Sequence, residues 1–344
     1  MLDGRTQRRR GCKTTGGAML VALAACAVAA AGEPTPEAFG FNPGDLPTAS
    51  VDAEPLVKPE LVTDVAAIQP GKPFRLGVLF RLKPTWHVYW KNPGDAGMAT
   101  AVDFDLPAGL RAGPLHWPAP MAFRQAGDIV GYGYEKHVLL WAPVTVSKDL
   151  RPGGEVELRV EAAWLACKDM CVAGDRKLRL RLPLAAKARP ARRDLFERWH
   201  SRLPVRGQTK GSGVRGLRIA GQIPPGETTG RFTITADWSQ PPAAVEFYPA
   251  AGRDVEVRGA TVRTKGARTT VTFTAASLAG AKQTTDTLEG VLVHTQANGT
   301  RRAVRLDVPL RKPTAAPSAK SPEQANRDTP PPTEGGAGKG ERHD

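Results

Sequence analysis

Cys167 and Cys171, in the stretch Trp164-Leu165-Ala166-Cys167-Lys168-Asp169-Met170-Cys171-Val172-Ala173-Gly174, are the residues whose type and spacing could do chemistry. The chain has 4 cysteines in 344 residues, and the other two, Cys12 and Cys26, fall in a stretch that reads as a removable leader. Cys167 and Cys171 are then the only thiols left to pair in the globular part. Such a pair can brace a fold, exchange its bond with another thiol protein, or hold a soft metal ion. Bracing is the least rewarding use here. Closing so short a loop stabilises a fold by about 2 kcal/mol, against nearly 5 for a long one.

The surroundings do not fix the reactivity of the thiols. Lys168 favours a thiolate at Cys167, Asp169 opposes it, and Trp164 and Leu165 raise the thiol pKa by desolvation. A zinc site needs about four ligands, and no second cluster supplies them. Cu(I) is the fairer rival, with the two thiolates joined by the thioether of Met170 or Met121. No cofactor is expected.

The flanks show which backbone carries the pair. Val156-Glu157-Leu158-Arg159-Val160-Glu161 and Lys177-Leu178-Arg179-Leu180-Arg181-Leu182 alternate apolar and charged residues, the period of a strand. Cysteines four apart on one straight strand would be roughly 13 Å apart. A hairpin with Lys168-Asp169-Met170 at its tip makes them a cross-strand pair instead, with Cα atoms about 4.5 to 5.5 Å apart, within reach of a disulfide. One turn of helix is the second choice.

Further strands are expected at Phe74 to Leu82, in the aromatic segment Thr85 to Gly97, and at Ala101 to Leu106, Gly113 to Trp117, His137 to Val146, Glu155 to Ala166 and Arg176 to Leu184. Asn92-Pro93-Gly94-Asp95 reads as the turn that ends the second of these. Many short strands with frequent turn signals and no long helix indicate an all-β sandwich. The Gly-Tyr-Gly-Tyr run at 131 to 134 reads as a turn, because no helix start follows it to make a phosphate loop.

Four segments carry a family resemblance: Trp86-His87-Val88-Tyr89-Trp90-Lys91-Asn92-Pro93-Gly94-Asp95-Ala96-Gly97, Gly113-Pro114-Leu115-His116-Trp117-Pro118-Ala119-Pro120, Gly131-Tyr132-Gly133-Tyr134-Glu135, and Trp164 to Cys171. Their content and order resemble the N-terminal periplasmic domain of the thiol:disulfide interchange protein DsbD family, and the corresponding region of suppressor of copper sensitivity protein B, over roughly residues 50 to 186. The resemblance implies an immunoglobulin-like β-sandwich with a redox-active cysteine pair at one edge. It implies thiol-disulfide exchange, with electrons taken from a membrane-embedded carrier or thioredoxin-like protein and passed to a periplasmic disulfide isomerase or cytochrome-maturation protein.

Carried over residue by residue, Cys167 and Cys171 match the active-site cysteines, with Cys171 attacking and Cys167 resolving. His87 and Tyr89 fall on the strand beside the redox centre, where they would support it together with Lys168 and Asp169. The loop with Asp128, Ile129 and Val130 falls where the family caps its disulfide, and the family's aromatic shield reads as replaced by Ile129 or Val130. A further departure is that no apolar run of 18 or more residues follows Cys171, so the protein must be recharged by a separate partner, act in the opposite direction, or have left redox work altogether. His116 and His137 read as packed or surface residues rather than bases.

The remaining sequence divides as follows. Residues 1 to 31 read as an export leader, with Arg8-Arg9-Arg10 and Lys13 before a short apolar core. Cleavage after Ala31 suits an ordinary signal peptidase, whereas Leu23-Ala24-Ala25-Cys26 would put a lipid on Cys26; the apolar run past Cys26 favours the ordinary cut. A lipid there would be the protein's sole tie to a membrane, and the expected location is periplasmic. Residues 32–55 form a flexible tether, 56–186 the DsbD-like sandwich, and 187–212 a linker with a short helix from Asp194 to Leu203. Residues 213–310 make a second β-rich domain without cysteine, a scaffold or docking module, and 311–344 a disordered tail. In the second domain Asn298-Gly299 reads as a two-residue type I′ turn joining Val291/Val293 to Val304/Leu306/Val308. The formal net charge of +14 would be +10 without the leader, and it alternates along strands rather than clustering, which excludes nucleic acid as a partner.

Overall fold

The computed structural model describes residues 55–207, 209, 211–250, 255–278 and 287–311. The leader, the candidate lipidation site Cys26, nearly all of the tether and nearly all of the tail lie outside the described residues. The first sandwich is built from β1 (Val57–Thr63), β2 (Val65–Ala67), β3 (Phe74–Leu82), β4 (His87–Gly94), β5 (Ala101–Asp105), β6 (Leu110–Ala112), β7 (Met121–Arg124), β8 (Val130–Glu135), β9 (His137–Val146), β10 (Glu155–Cys167) and β11 (Cys171–Pro183). One sheet runs β1-β3-β9-β6. The other runs β11-β10-β4-β8-β7, with β5 alongside β10. Among the described residues the fold is all-β apart from one α-helix and a short 3-10 turn at Ala126–Asp128, and this half is an immunoglobulin-like sandwich.

Period-two alternation decides which side chains fill the space between the sheets. Leu158, Val160, Ala162, Trp164 and Ala166 of β10 and Val88 and Trp90 of β4 join Leu76, Val78, Phe80 and Leu140 in one core. The residues between them, Leu165 and Cys167 on β10 and His87 and Tyr89 on β4, therefore lie on the opposite, outer face of the six-stranded sheet.

After β12 (Arg189–Pro190), the helix α1 (Arg193–His200) buries Phe196 and Trp199 in the first core. The second sandwich contains β13 (Val205–Arg206), β14 (Val214–Gly221), β15 (Thr229–Trp238), β16 (Ala244–Pro249), β17 (Val255–Lys265), β18 (Arg268–Ser277), β19 (Thr287–Thr295) and β20 (Arg301–Pro309). Its sheets run β13-β20-β19-β16 and β14-β15-β18-β17. The two sandwiches share core: Tyr248, Val291, Val293 and Ala303 of the second belong to the apolar cluster of the first. Tyr248 meets Trp90 and Tyr132 edge-on, at 6.4 and 5.1 Å between ring centres. Around this contact Lys91 pairs with Glu289 at 2.6 Å, and Asn92 Nδ2 donates to the Pro249 carbonyl.

Several sequence expectations need correction. Gly113 to Trp117 is not a strand; β6 stops at Ala112, only a single bridge from His116 to Trp141 follows, and the nearby prolines supply no ladder donors. β4 does not end ahead of an Asn92-Pro93-Gly94-Asp95 turn but continues irregularly through Pro93 to Gly94, across a register shift after Tyr89. The run 131 to 134 is not a turn but part of β8. Asn298-Gly299 is not a type I′ turn, which needs positive φ at both residues. Only Gly299 has it, at 80°, and the loop closes instead through Gly299 N–H to Gln296 C=O at 2.9 Å.

Candidate active site

The β10–β11 hairpin aligns thirteen residue pairs from Glu155↔Pro183 to Cys167↔Cys171, with Lys168-Asp169-Met170 at the tip. Cys167 and Cys171 form a disulfide, with Cα atoms 4.2 Å apart, slightly closer than the spacing expected from an ordinary cross-strand pair. The hairpin, rather than a helical turn, brings them together. The two sulfurs differ in access: Cys167 is 0% exposed, whereas Cys171 is half-buried.

Cys167 is sealed by a small apolar cluster on the outer face of the sheet. Tyr89, Phe123 and Leu165 surround it, and Met98, Cys171 and Ala173 pack against the edge. His87 sits directly opposite Cys167 in the β10–β4 register. Tyr89, two residues along the same strand, brings its hydroxyl 3.3 Å from Cys167 Sγ. Gln125 Nε2 donates to that hydroxyl at 3.2 Å, and the phenolic proton has two acceptors in reach, Cys167 Sγ at 3.3 Å and Gln125 Oε1 at 3.4 Å. Burial raises the Tyr89 pKa, so the group stays a donor.

The sequence reading missed Phe123. Its ring lies 3.5 Å from the His87 ring and 5.6 Å from that of Tyr89, centre to centre. Two glycines make room for it: a Cβ at Gly131 would come within 2.2 Å of the Phe123 ring, and one at Gly133 within 2.1 Å of the Val88 carbonyl oxygen and 3.1 Å of the same ring. The Gly-x-Gly spacing of β8 was the available signal, since alternate glycines on one face of a strand mark a close approach. An aromatic residue thus takes part in sealing the site. Ile129 and Val130 are half-buried and Asp128 is exposed with φ of 58°, and none of the three belongs to the cluster around Cys167.

His87 is 4% exposed, and its Nε2 has no hydrogen-bond partner. Burial lowers its pKa from 6.5 to about 4, so the ring is neutral. Lys168 and Asp169 are exposed at the tip and pair with each other at 3.5 Å. Met170 is 57% exposed. Among the described residues no group of three or more His, Cys, Asp or Glu gathers as a metal would require. His116 stacks on Trp141 at 4.1 Å, and His137 meets Trp199 edge-on, both as packing residues.

Residues 53–183 match the family described as thiol:disulfide interchange protein DsbD, N-terminal. This segment is a DsbD-like N-terminal domain. The crystal structure of the N-terminal periplasmic domain of ScsB from Proteus mirabilis superposes with a TM-score of 0.52 at 18% identity, covering 76% of this chain and 97% of that one. At that identity the likeness concerns the fold, and its coverage reaches past the DsbD-like domain into the second sandwich. No curated protein matches the chain. Within the DsbD-like domain, the strand pair that forms the disulfide and the strand that carries His87 and Tyr89 are neighbours in one sheet. Among the described residues, no helix is long and apolar enough to cross a membrane.

Proposed function

We propose that this protein is a periplasmic thiol-disulfide exchange protein that relays reducing equivalents through Cys167 and Cys171. The supporting observation is the asymmetry of the pair: one sulfur is reachable, and the other is buried beside a phenol. In the reducing direction, a partner thiolate attacks Cys171 Sγ, the bond to Cys167 breaks, and Cys167 leaves as a thiolate that accepts the Tyr89 hydroxyl proton in a hydrogen bond. A second partner thiol then attacks the mixed disulfide and releases Cys171. Two S–H bonds and one S–S bond are broken and remade, and two electrons change hands.

In the opposite direction the Cys171 thiolate attacks a partner disulfide and Cys167 resolves it. The chemistry suits a thioredoxin-like protein or a membrane electron carrier as the source of electrons. A periplasmic disulfide isomerase or a cytochrome-maturation protein suits as the recipient. No bound cofactor is needed for either half.

The test uses single-cysteine variants. Cys167→Ser should accumulate a mixed disulfide through Cys171 with a thioredoxin-like partner, and Cys171→Ser should accumulate none. A reduction potential far below about −300 mV would identify a merely structural bond and end the proposal.

A further inference from the structure

The most unusual polar atom near the disulfide is His87 Nε2. A buried nitrogen without a partner is costly and rare, and this one lies on the residue directly opposite Cys167. Directly opposed residues of an antiparallel pair have Cβ atoms about 4.5–5.5 Å apart. The ring is held by Phe123 against one face and by Tyr89 at its edge, 5.7 Å away. At 4% exposure the ring is kept from bulk water. Besides Glu135, its neighbour across the β4–β8 pair, the group directly opposite that could complete its hydrogen bonding is the S–H of Cys167, absent from the disulfide and present in the dithiol.

We infer that His87 Nε2 accepts the S–H proton of Cys167 in the reduced protein, so that opening the disulfide satisfies the orphaned nitrogen and favours the dithiol. This rests on the pair cycling between disulfide and dithiol as proposed above. A thiol offers one donor and can still accept at sulfur. In the dithiol, Cys167 would receive the Tyr89 hydroxyl and give its own proton to His87, which leaves no polar atom of the three unpaired. The neutrality of the imidazole keeps the lone pair available. A rotation about the Cα–Cβ bond of Cys167, free once the S–S bond is cut, is the motion required.

The test is the dithiol–disulfide equilibrium of the full chain in dithiothreitol or glutathione redox buffers. His87→Phe keeps a ring beside Phe123 and removes the acceptor; it should shift the equilibrium about tenfold towards the disulfide, which is about 30 mV more negative. His87→Gln, whose amide oxygen can stand near the Nε2 position, should lie closer to the parent than His87→Phe does. In the parent, imidazole nitrogen NMR should show Nε2 unprotonated in both states and shifted as a new acceptor on reduction. A potential unchanged in His87→Phe, or a proton resident on Nε2, would overturn the inference, and the NMR result decides it alone if that variant does not fold. Failure of the mixed-disulfide trapping would instead remove the proposed function, so the two can be told apart.

Discussion

The two faces of the six-stranded sheet are made by alternate residues of the same strands, yet they are very different environments. The inner face of β10 presents Leu158, Val160 and Trp164 to a large core that also takes in α1 and part of the second sandwich. The outer face presents Leu165 and Cys167 to a small cluster whose other buried apolar members among the described residues are Tyr89 and Phe123, with His87 against the Phe123 ring. The inner face stabilises the fold through buried area. The outer one shelters a single sulfur and little else, so changes there should alter chemistry more than stability.

Three experiments can break or sharpen that contrast. The largest effect should come from paired truncations on β10. Leu158→Ala, at 0% exposure, should cost about 2–5 kcal/mol in denaturant unfolding and leave the reduction potential unchanged. Leu165→Ala should cost less stability and speed reduction of the disulfide by a small thiol. If Leu165→Ala proves the more destabilising of the two, the outer cluster is a true core and the contrast fails.

Next in size is an acid effect from His87. Its pKa is about 4 when folded and 6.5 as the free group, so between those values the unfolded chain binds a proton that the folded chain does not. Stability should therefore fall as the pH drops from about 6.5 to about 4 and level off below, by roughly 3 kcal/mol. His116, His137 and His294 are also held below their ordinary pKa by burial and act in the same sense. The share due to His87 is the difference between the parent and His87→Phe in urea titrations across this range. Equal slopes in the two proteins would contradict the assigned burial.

The smallest effect should be that of Tyr89→Phe, which deletes one hydroxyl from the sulfur and from Gln125. One hydrogen bond contributes about 1 kcal/mol, so exchange with a partner should slow about fivefold, with a melting temperature near that of the parent. Stopped-flow measurement of the exchange would show it, and an unchanged rate would mean that the phenol does not assist departure of Cys167.

Much of this contrast was legible in the chain itself. Alternation on both sides of Cys167-Lys168-Asp169-Met170-Cys171 set the hairpin register, whereas His87 and Tyr89 were legible only through the family resemblance, since nothing local says which strand lies beside the hairpin. Phe123 escaped notice because β7 has only four residues, follows a proline-rich stretch and carries no period worth reading. Its glycine partners on β8 resemble turn residues until the ring they accommodate is known. The shared core between the sandwiches was equally hidden, since Tyr248 looks like any strand aromatic until Trp90 and Tyr132 are placed beside it. The Asn298-Gly299 loop shows the limit of local rules, for a dipeptide that favours one turn was fitted into another by strands already fixed in register.

The contact around Tyr248 also bears on how the molecule can be cut. A fragment ending near residue 186 would keep both cysteines but lose α1 and the second sandwich, baring Trp90, Tyr132 and the side of the core that Phe196 and Trp199 now cover. Such a fragment would carry an apolar scar prone to self-association, so the cysteine-bearing half is poorly suited to life as a detached module.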